Sequence, residues 1–344
     1  MCETTRSSVA AIRRHGQLCY HLFHAARAHR GRTLWMAVFS EIRYPTTRLA
    51  KVLSSLLALV LFGFATVATI SGFLLYQILH PARTPSNINL DVMMGHPSTF
   101  DFHVPGGSSH EGWFFPGLRG APAILVCHGY LSQRSEVLTL VTALQDHEFN
   151  VFLFDFAGHG ANLARTTLGY RETAELRAAV RALSTRDDVD RQRFGLWGVD
   201  MGGYAVLEVA STDSRIAALA VDNGYDDPRA MVKLEVQKSG LTALPYVTRL
   251  ADLGFRMLNY DFRDEPPVST RLAHTAGTPK LFIESDDRPG LANQTSQLFV
   301  KAPDPKSALR EAQSYRDMSD EDRKAYESQI VNFFLQSIPP KGGR

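Results

Sequence analysis

Gly198-Val199-Asp200-Met201-Gly202 sets an acidic side chain between two glycines, and Gly203 follows directly. The spacing is that of a nucleophile on a sharp turn between a strand and a helix. Residues 193–197 are the strand leading in, and residues 202–210 are the helix leading out. Glycines flank the central residue because so tight a turn leaves no room for side chains. A carboxylate at that place stands at a helix N-terminus, where the dipole favours its charge. It can attack an electrophilic carbon and form an ester, but releasing that ester needs a base to activate water. His128 and His159 are candidate surrogate bases. Both sit on loops at the carboxyl ends of strands, the functional edge of a parallel sheet. Each also has an ordinary role as a loop-packing residue.

The elements that would position these groups alternate along the chain. Residues 99–104 and 111–115 are extended around the turn-forming Pro105-Gly106-Gly107. Short apolar runs at 123–127, 151–156, 193–197, 216–221 and 279–284 read as buried strands. Helical periodicity lies between them at 135–147, 172–183 and 202–210, and a last helix covers about 319–336 with Ser319 as a candidate N-cap. Such alternation predicts a mostly parallel sheet with helices on both faces. Residues 171–177 read as a solvated helix face with i,i+4 charge pairs. The acids of 317–322 suit the start of the last helix.

Two further segments agree with the turn at Asp200. Leu125-Val126-Cys127-His128-Gly129-Tyr130 ends one strand, and Phe154-Asp155-Phe156-Ala157-Gly158-His159-Gly160 ends the next. Together the three resemble the α/β-hydrolase superfamily, over about residue 92 to the C-terminus. Residues 198–203 look most like the G-x-S-M-G-G turn of serine esterases and peptidase-like hydrolases. The resemblance implies an α/β-hydrolase fold with a small cap insertion at about 222–278, a Ser–acid–His triad and acyl transfer. By position, the backbone N–H groups of Tyr130 and Met201 would form the oxyanion hole. The acid would be Asp286 or Asp287, and the histidine would fall where Tyr315 stands.

The sequence departs from that pattern at two of the three triad positions. Asp200 replaces the serine, and no histidine follows His274. His274 itself is expected on a helix leading into the strand at 279–284, at the opposite edge of the sheet from Asp200. A related branch resembling haloalkane dehalogenases and epoxide hydrolases does use an aspartate nucleophile. A carboxylate suits alkyl carbon, whereas attack on a carboxylic ester would give a mixed anhydride. That branch needs a histidine as well, and Met201 does not match its tryptophan. Tyr225, Tyr246 and Tyr260 lie in the cap-like stretch and could donate hydrogen bonds. Alternatively Asp200 and an acid at 286 or 287 share a pocket, Tyr315 donates to Asp200, and one carboxyl has a raised pKa. The expected function is therefore an α/β-hydrolase-family protein with an impaired site that binds a small organic or acyl ligand. The alternative is an active hydrolase with Asp200 as nucleophile on an ester, epoxide or haloalkane.

Residues 52–79 carry no charge over 28 positions, and about 20 suffice to span a bilayer. The run is too long for the apolar region of a cleavable signal peptide. Nine Lys/Arg against Glu3 and Glu41 in residues 1–51 predict a cytoplasmic N-terminus and an extracytoplasmic domain. The organisation reads as a basic segment at 1–51, a transmembrane helix at 52–79, a linker at 80–91 and the hydrolase-like domain at 92–340. Met36, which lies within the basic segment and precedes a compact basic stretch and then the helix, is the expected start. Ala68 and Gly72 form a small-xxx-small pair that could pair two helices into a homodimer, although such pairs are common by chance. The chain has 344 residues, is 44% hydrophobic and 21% charged, and so is rich enough in apolar side chains to fold. A net charge of +2 makes no electrostatic case for nucleic acid. Of the cysteines Cys2, Cys19 and Cys127, one lies in the domain, so no internal disulfide forms there. No Cys/His spacing suggests a metal, and no cofactor is expected.

Overall fold

The computed structural model describes residues 47–85, 88–89, 96–107 and 109–340. The basic segment up to residue 46, the expected start at Met36, and residues 86–87 and 90–91 of the expected linker lie outside the described residues.

The apolar run forms helix α1 (Arg48–Leu79), with mean hydropathy 2.2 in its most apolar window. Length and composition alone make it a candidate membrane span. Its final turns, from Ile70 onward, belong to the same compact unit as the residues that follow the helix. There Leu75, Ile78 and Leu79 are buried, the Tyr130 hydroxyl donates to Ile78 O at 3.0 Å, and Thr166 N donates to Leu79 O at 3.2 Å.

That unit is built on a mixed sheet. Its strands are β1 (Ser98–His103), β2 (Ser109–Phe115), β3 (Ala121–Cys127), β4 (Asn150–Phe154), β5 (Val189–Val199), β6 (Ile216–Asp222), β7 (Lys280–Ser285) and β8 (Lys306–Glu311). Among the described residues the sheet order is β1-β2-β4-β3-β5-β6-β7-β8. β1, β2 and β4 pair antiparallel in succession, and every pairing from β4–β3 to β7–β8 is parallel. The inner parallel strands β3, β4, β6 and β7, and β5 from Phe194 to Gly198, are largely buried and read as continuous apolar runs rather than alternating ones, whereas the edge strand β8 is partly exposed. The crossovers are α2 (Leu138–Asp146), α3 (Tyr170–Leu183), α4 (Met201–Ala210) and α7 (Pro289–Lys301), and α8 (Asp320–Ser337) follows the last strand. Ser319 caps α8 as expected, its Oγ accepting from Asp322 N at 3.2 Å, and acids fill the first turn. α2 and α8 cover one face of the sheet, with Leu140, Leu144, Tyr326, Ile330 and Phe334 packed around Trp197. Between β6 and β7 stand the cap helices α5 (Pro228–Lys238) and α6 (Val247–Leu258) and several 3-10 turns.

The helix face expected to be solvated is not. Glu172 and Glu175 of α3 are buried. Glu172 accepts from the Thr166 and Thr167 hydroxyls and from Gly169 N, and Glu175 accepts from Ala157 N at 3.0 Å. These acids tie down the loop after β4, a role that a charge pattern along a helix does not reveal.

Candidate active site around Asp200

Asp200 is the single residue between β5 and α4, with φ +38° and ψ −99°. An L-residue in that region is strained and persists only where its surroundings hold it. Here the surroundings are backbone. A Cβ on Gly198 would lie 2.6 Å from Gly202 O, and one on Gly202 would lie 2.5 Å from Cys127 O. Both positions exclude any side chain, so strand, turn and helix close against β3 with Asp200 at the apex.

The Asp200 carboxylate does not project into open space. Its Oδ1 accepts from Tyr130 N at 2.6 Å and from Met201 N. These are the two N–H groups expected to make an oxyanion hole, and both converge on the side chain of Asp200. Its Oδ2 lies 3.8 Å from Nη1 of Arg288. Burial pushes the Asp200 pKa up to about 6, against the pull of Arg288 and of the two backbone donors.

Arg288 links this carboxylate to the loops after β7 and β8. Its Nε donates to Ser314 Oγ at 3.1 Å, and its Nη2 lies 3.4 Å from Asp317 Oδ2. The Ser314 hydroxyl lies 2.9 Å from Asp287 Oδ2 and 2.9 Å from Asp317 Oδ2, and can donate to either. Asp286 turns outward to an exposed pair with Arg310 at 2.7 Å. Of the two candidate acids, Asp287 therefore faces the Arg288–Ser314 side.

A second buried carboxylate stands next to the turn. Asp222 ends β6, and its backbone oxygen accepts from Asp200 N at 2.8 Å. Its side chain accepts from the Tyr326 hydroxyl and from Asn223 Nδ2, each at 2.8 Å, and Trp197 Nε1 donates to Tyr326 at 3.0 Å. Burial raises its pKa to about 7. The Tyr326 hydrogen bond opposes this and the charge of Asp200 adds to it.

Tyr315 does not make the expected contact with Asp200. Its hydroxyl donates to Glu327 Oε1 at 2.7 Å, its ring packs 5.2 Å from Trp197, and it belongs to the core under α2 and α8. The neighbouring Ser314 is the residue that meets the acid loop. In the short turn between β8 and α8 one step along the chain reverses the direction of the side chain.

The two candidate bases are occupied. His128 Nε2 accepts from Phe156 N at 3.0 Å, so its Nδ1 carries the proton toward Gly129 O at 2.9 Å. His159 Nε2 accepts from Leu131 N at 3.2 Å, and its Nδ1 faces Ala157 O at 2.8 Å. Burial lowers both pKa values to about 4, so each ring is neutral with its basic lone pair on a backbone N–H. His274 lies at the far end of α4, its Nδ1 3.3 Å from Ser211 O. Tyr225 is buried and donates to Leu168 O at 2.5 Å, whereas Tyr246 and Tyr260 are exposed.

Beside Arg288 a groove of about 380 Å³ runs between α5 and the start of α7. Met231, Leu234, Pro289 and Leu291 make its apolar walls, and Arg288 and Lys238 supply its cations. Among the described residues no group of three or more His, Cys, Asp or Glu could hold a metal.

Sequence reasoning located Asp200, Tyr130 and Met201 but missed Arg288, Asp222 and Ser314. Two signals were present. Arg288 directly follows the two acids at the end of β7, and Asp222 is a lone carboxylate closing an apolar strand beside β5.

The chain belongs to the α/β-hydrolase fold superfamily. The family model described as alpha/beta hydrolase fold matches residues 122–276. An uncharacterized protein of Mycobacterium tuberculosis is 37% identical over 199 residues, covering 55% of this chain and 69% of that protein. The polyketide transferase GrgF of Penicillium sp. is 30% identical over 125 residues, covering 35% of this chain and 42% of that protein. The GrgF crystal structure superposes with a TM-score of 0.54 at 21% identity, over 70% of this chain and 99% of that one. The esterase Pf2001 of Pyrococcus furiosus gives a TM-score of 0.60 at 17% identity, over 76% of this chain and 98% of that one.

Proposed function

We propose that this protein is a membrane-anchored α/β-hydrolase-fold protein that binds a small acyl or other apolar organic ligand with little or no turnover. One observation carries the reading: the Asp200 carboxylate accepts from both N–H groups that a hydrolase of this fold would need free for substrate. The N–H groups of Tyr130 and Met201 are the pair that would hold a substrate oxygen as negative charge develops. A substrate carbonyl would have to displace a carboxylate held by charge-assisted hydrogen bonds, each worth about 1.5–3 kcal/mol. Proton transfer fails as well. The group opposite Asp200 is a guanidinium, which has no lone pair to accept a proton. His128 and His159 already use theirs. The groove beside Arg288 has the apolar walls and few polar groups of a small-molecule site. The names of the similar proteins, an esterase and a polyketide transferase, make acyl compounds the first class to test.

The test is intact mass of the full chain in detergent after exposure to an alkyl halide, an epoxide and an activated ester, with Asp200→Asn as control. No adduct and no product is the expected result. An adduct on the wild-type chain but not on Asp200→Asn would overturn the inert reading and establish Asp200 as a nucleophile. Binding is read separately, by the thermal shift with a medium-chain fatty acid or monoacylglycerol. The shift should appear in wild type and vanish in Leu234→Arg, which places a charge in the apolar wall.

A further inference from the structure

We propose that the cap helix α6 lies in the membrane interface, with its exposed apolar stripe seated in the lipid surface beside the end of α1. The proposal rests on reading α1 as the membrane anchor. α6 buries Val247, Ala251 and Phe255 on one side. Beside that face Leu253 and Met257, four residues apart on one stripe, are 49% and 70% exposed, and Tyr260, in the 3-10 turn just past the helix end, is 61% exposed. Leu258 and Tyr246, 52% and 62% exposed, flank it. Thr248, Arg249, Asp252 and Arg256 make the polar face of α6, and the exposed apolar stripe beside it calls for an apolar or interfacial partner.

The lipid surface is the occupant because of where α6 is fixed. Gly254, next to Leu253, lies against Leu75 of α1, so close that a Cβ on it would sit 2.9 Å from Leu75 Cδ2. The 28 uncharged residues of α1 would extend roughly 42 Å at 1.5 Å each, against about 30 Å of hydrocarbon. The excess of roughly 12 Å is about eight residues. The buried residues Ser71, Leu75, Ile78 and Leu79 lie in the last nine positions of α1. The end of the apolar run is thus taken up by the domain, and the membrane boundary falls close to the turn that packs on Gly254. Arg263 stacks 4.2 Å over the Tyr260 ring, and Arg249 lies 5.9 Å from the Tyr246 ring. Arginine and tyrosine are the side chains that keep a polar tip in water above an apolar body at this depth. Arg249, Arg256 and Arg263 are balanced by Asp252, Asp261 and Asp264. Insertion is therefore apolar in origin and insensitive to anionic lipid.

The test uses the full chain with Cys2 and Cys19 changed to serine, reconstituted in phosphatidylcholine vesicles with spin-labelled lipids. Cys127 is buried and free. A fluorophore is attached at Met257→Cys, at Val60→Cys within the span, or at Ser328→Cys on α8 as the remote site. Met257 and Val60 should each be quenched by about two-fold or more and Ser328 should not, as for an interfacial helix beside a span. Adding phosphatidylglycerol should leave the Met257 quenching unchanged. Quenching at Val60 without quenching at Met257 overturns the proposal and leaves the anchor intact. No quenching at either site overturns the anchor reading and the proposal with it.

Discussion

At the scale of single residues, Asp200 stands against its own solvation. Its carboxyl is buried, and its pKa is raised from 3.8 to about 6. An acid whose folded pKa lies above its unfolded one binds its proton first in the folded state, so its cost is absent below pH about 4 and complete above pH about 6. Asp200→Asn removes the charge and keeps an acceptor for the two N–H groups. It should stabilise the fold by up to about 3 kcal/mol at pH 8, and the gain should vanish by pH 4, as read by urea unfolding at both pH values. Position 314 makes a second residue-scale prediction. Ser314 meets Asp287 at 2.9 Å, whereas Tyr315 faces Glu327. In an Asp200→Ser background, Ser314→His should raise ester hydrolysis by about 100-fold or more, the usual contribution of a placed general base. Tyr315→His should leave it unchanged.

The turn between β5 and α4 works as an element because three backbones meet there. Gly202→Ala would put a methyl 2.5 Å from Cys127 O, and neither backbone can give way. The cost should reach about 3 kcal/mol, the upper range for overpacking, measured by the denaturation midpoint. α8 supports the same turn from the far side of the sheet, through Tyr326. Tyr326→Phe breaks the link from Trp197 to Asp222 and leaves buried polar groups unmatched. It should cost about 1–3 kcal/mol and lower the midpoint in equilibrium unfolding.

For the whole molecule, the boundary between the apolar helix and the compact domain decides what folds alone. The compact body begins at Ile70. A chain starting at residue 84 would lack Leu75, Ile78 and Leu79, whose burial is worth roughly 1.5–3 kcal/mol each as an upper estimate. It should be less stable than a chain starting at Ile70 by about 4.5 kcal/mol, the lower end of that sum, as read by denaturation.

The sequence by itself determined the class of fold, the apolar helix, the turn at Asp200 and the donors Tyr130 and Met201. These follow from patterns a few residues long: apolar runs of strand length, an uncharged helix, and glycines beside a central residue. Tertiary structure alone decided what Asp200 faces. Arg288 and Asp222 reach it from the ends of β7 and β6, and Tyr315 turns away from it because the core beneath α2 and α8 takes its ring. The direction of a side chain in a loop is set by what packs against it, and those partners lie tens of residues away in the chain. The same holds for the acids of α3. Spacing marks them as a helix face, but only the loop that wraps over them makes them buried acceptors.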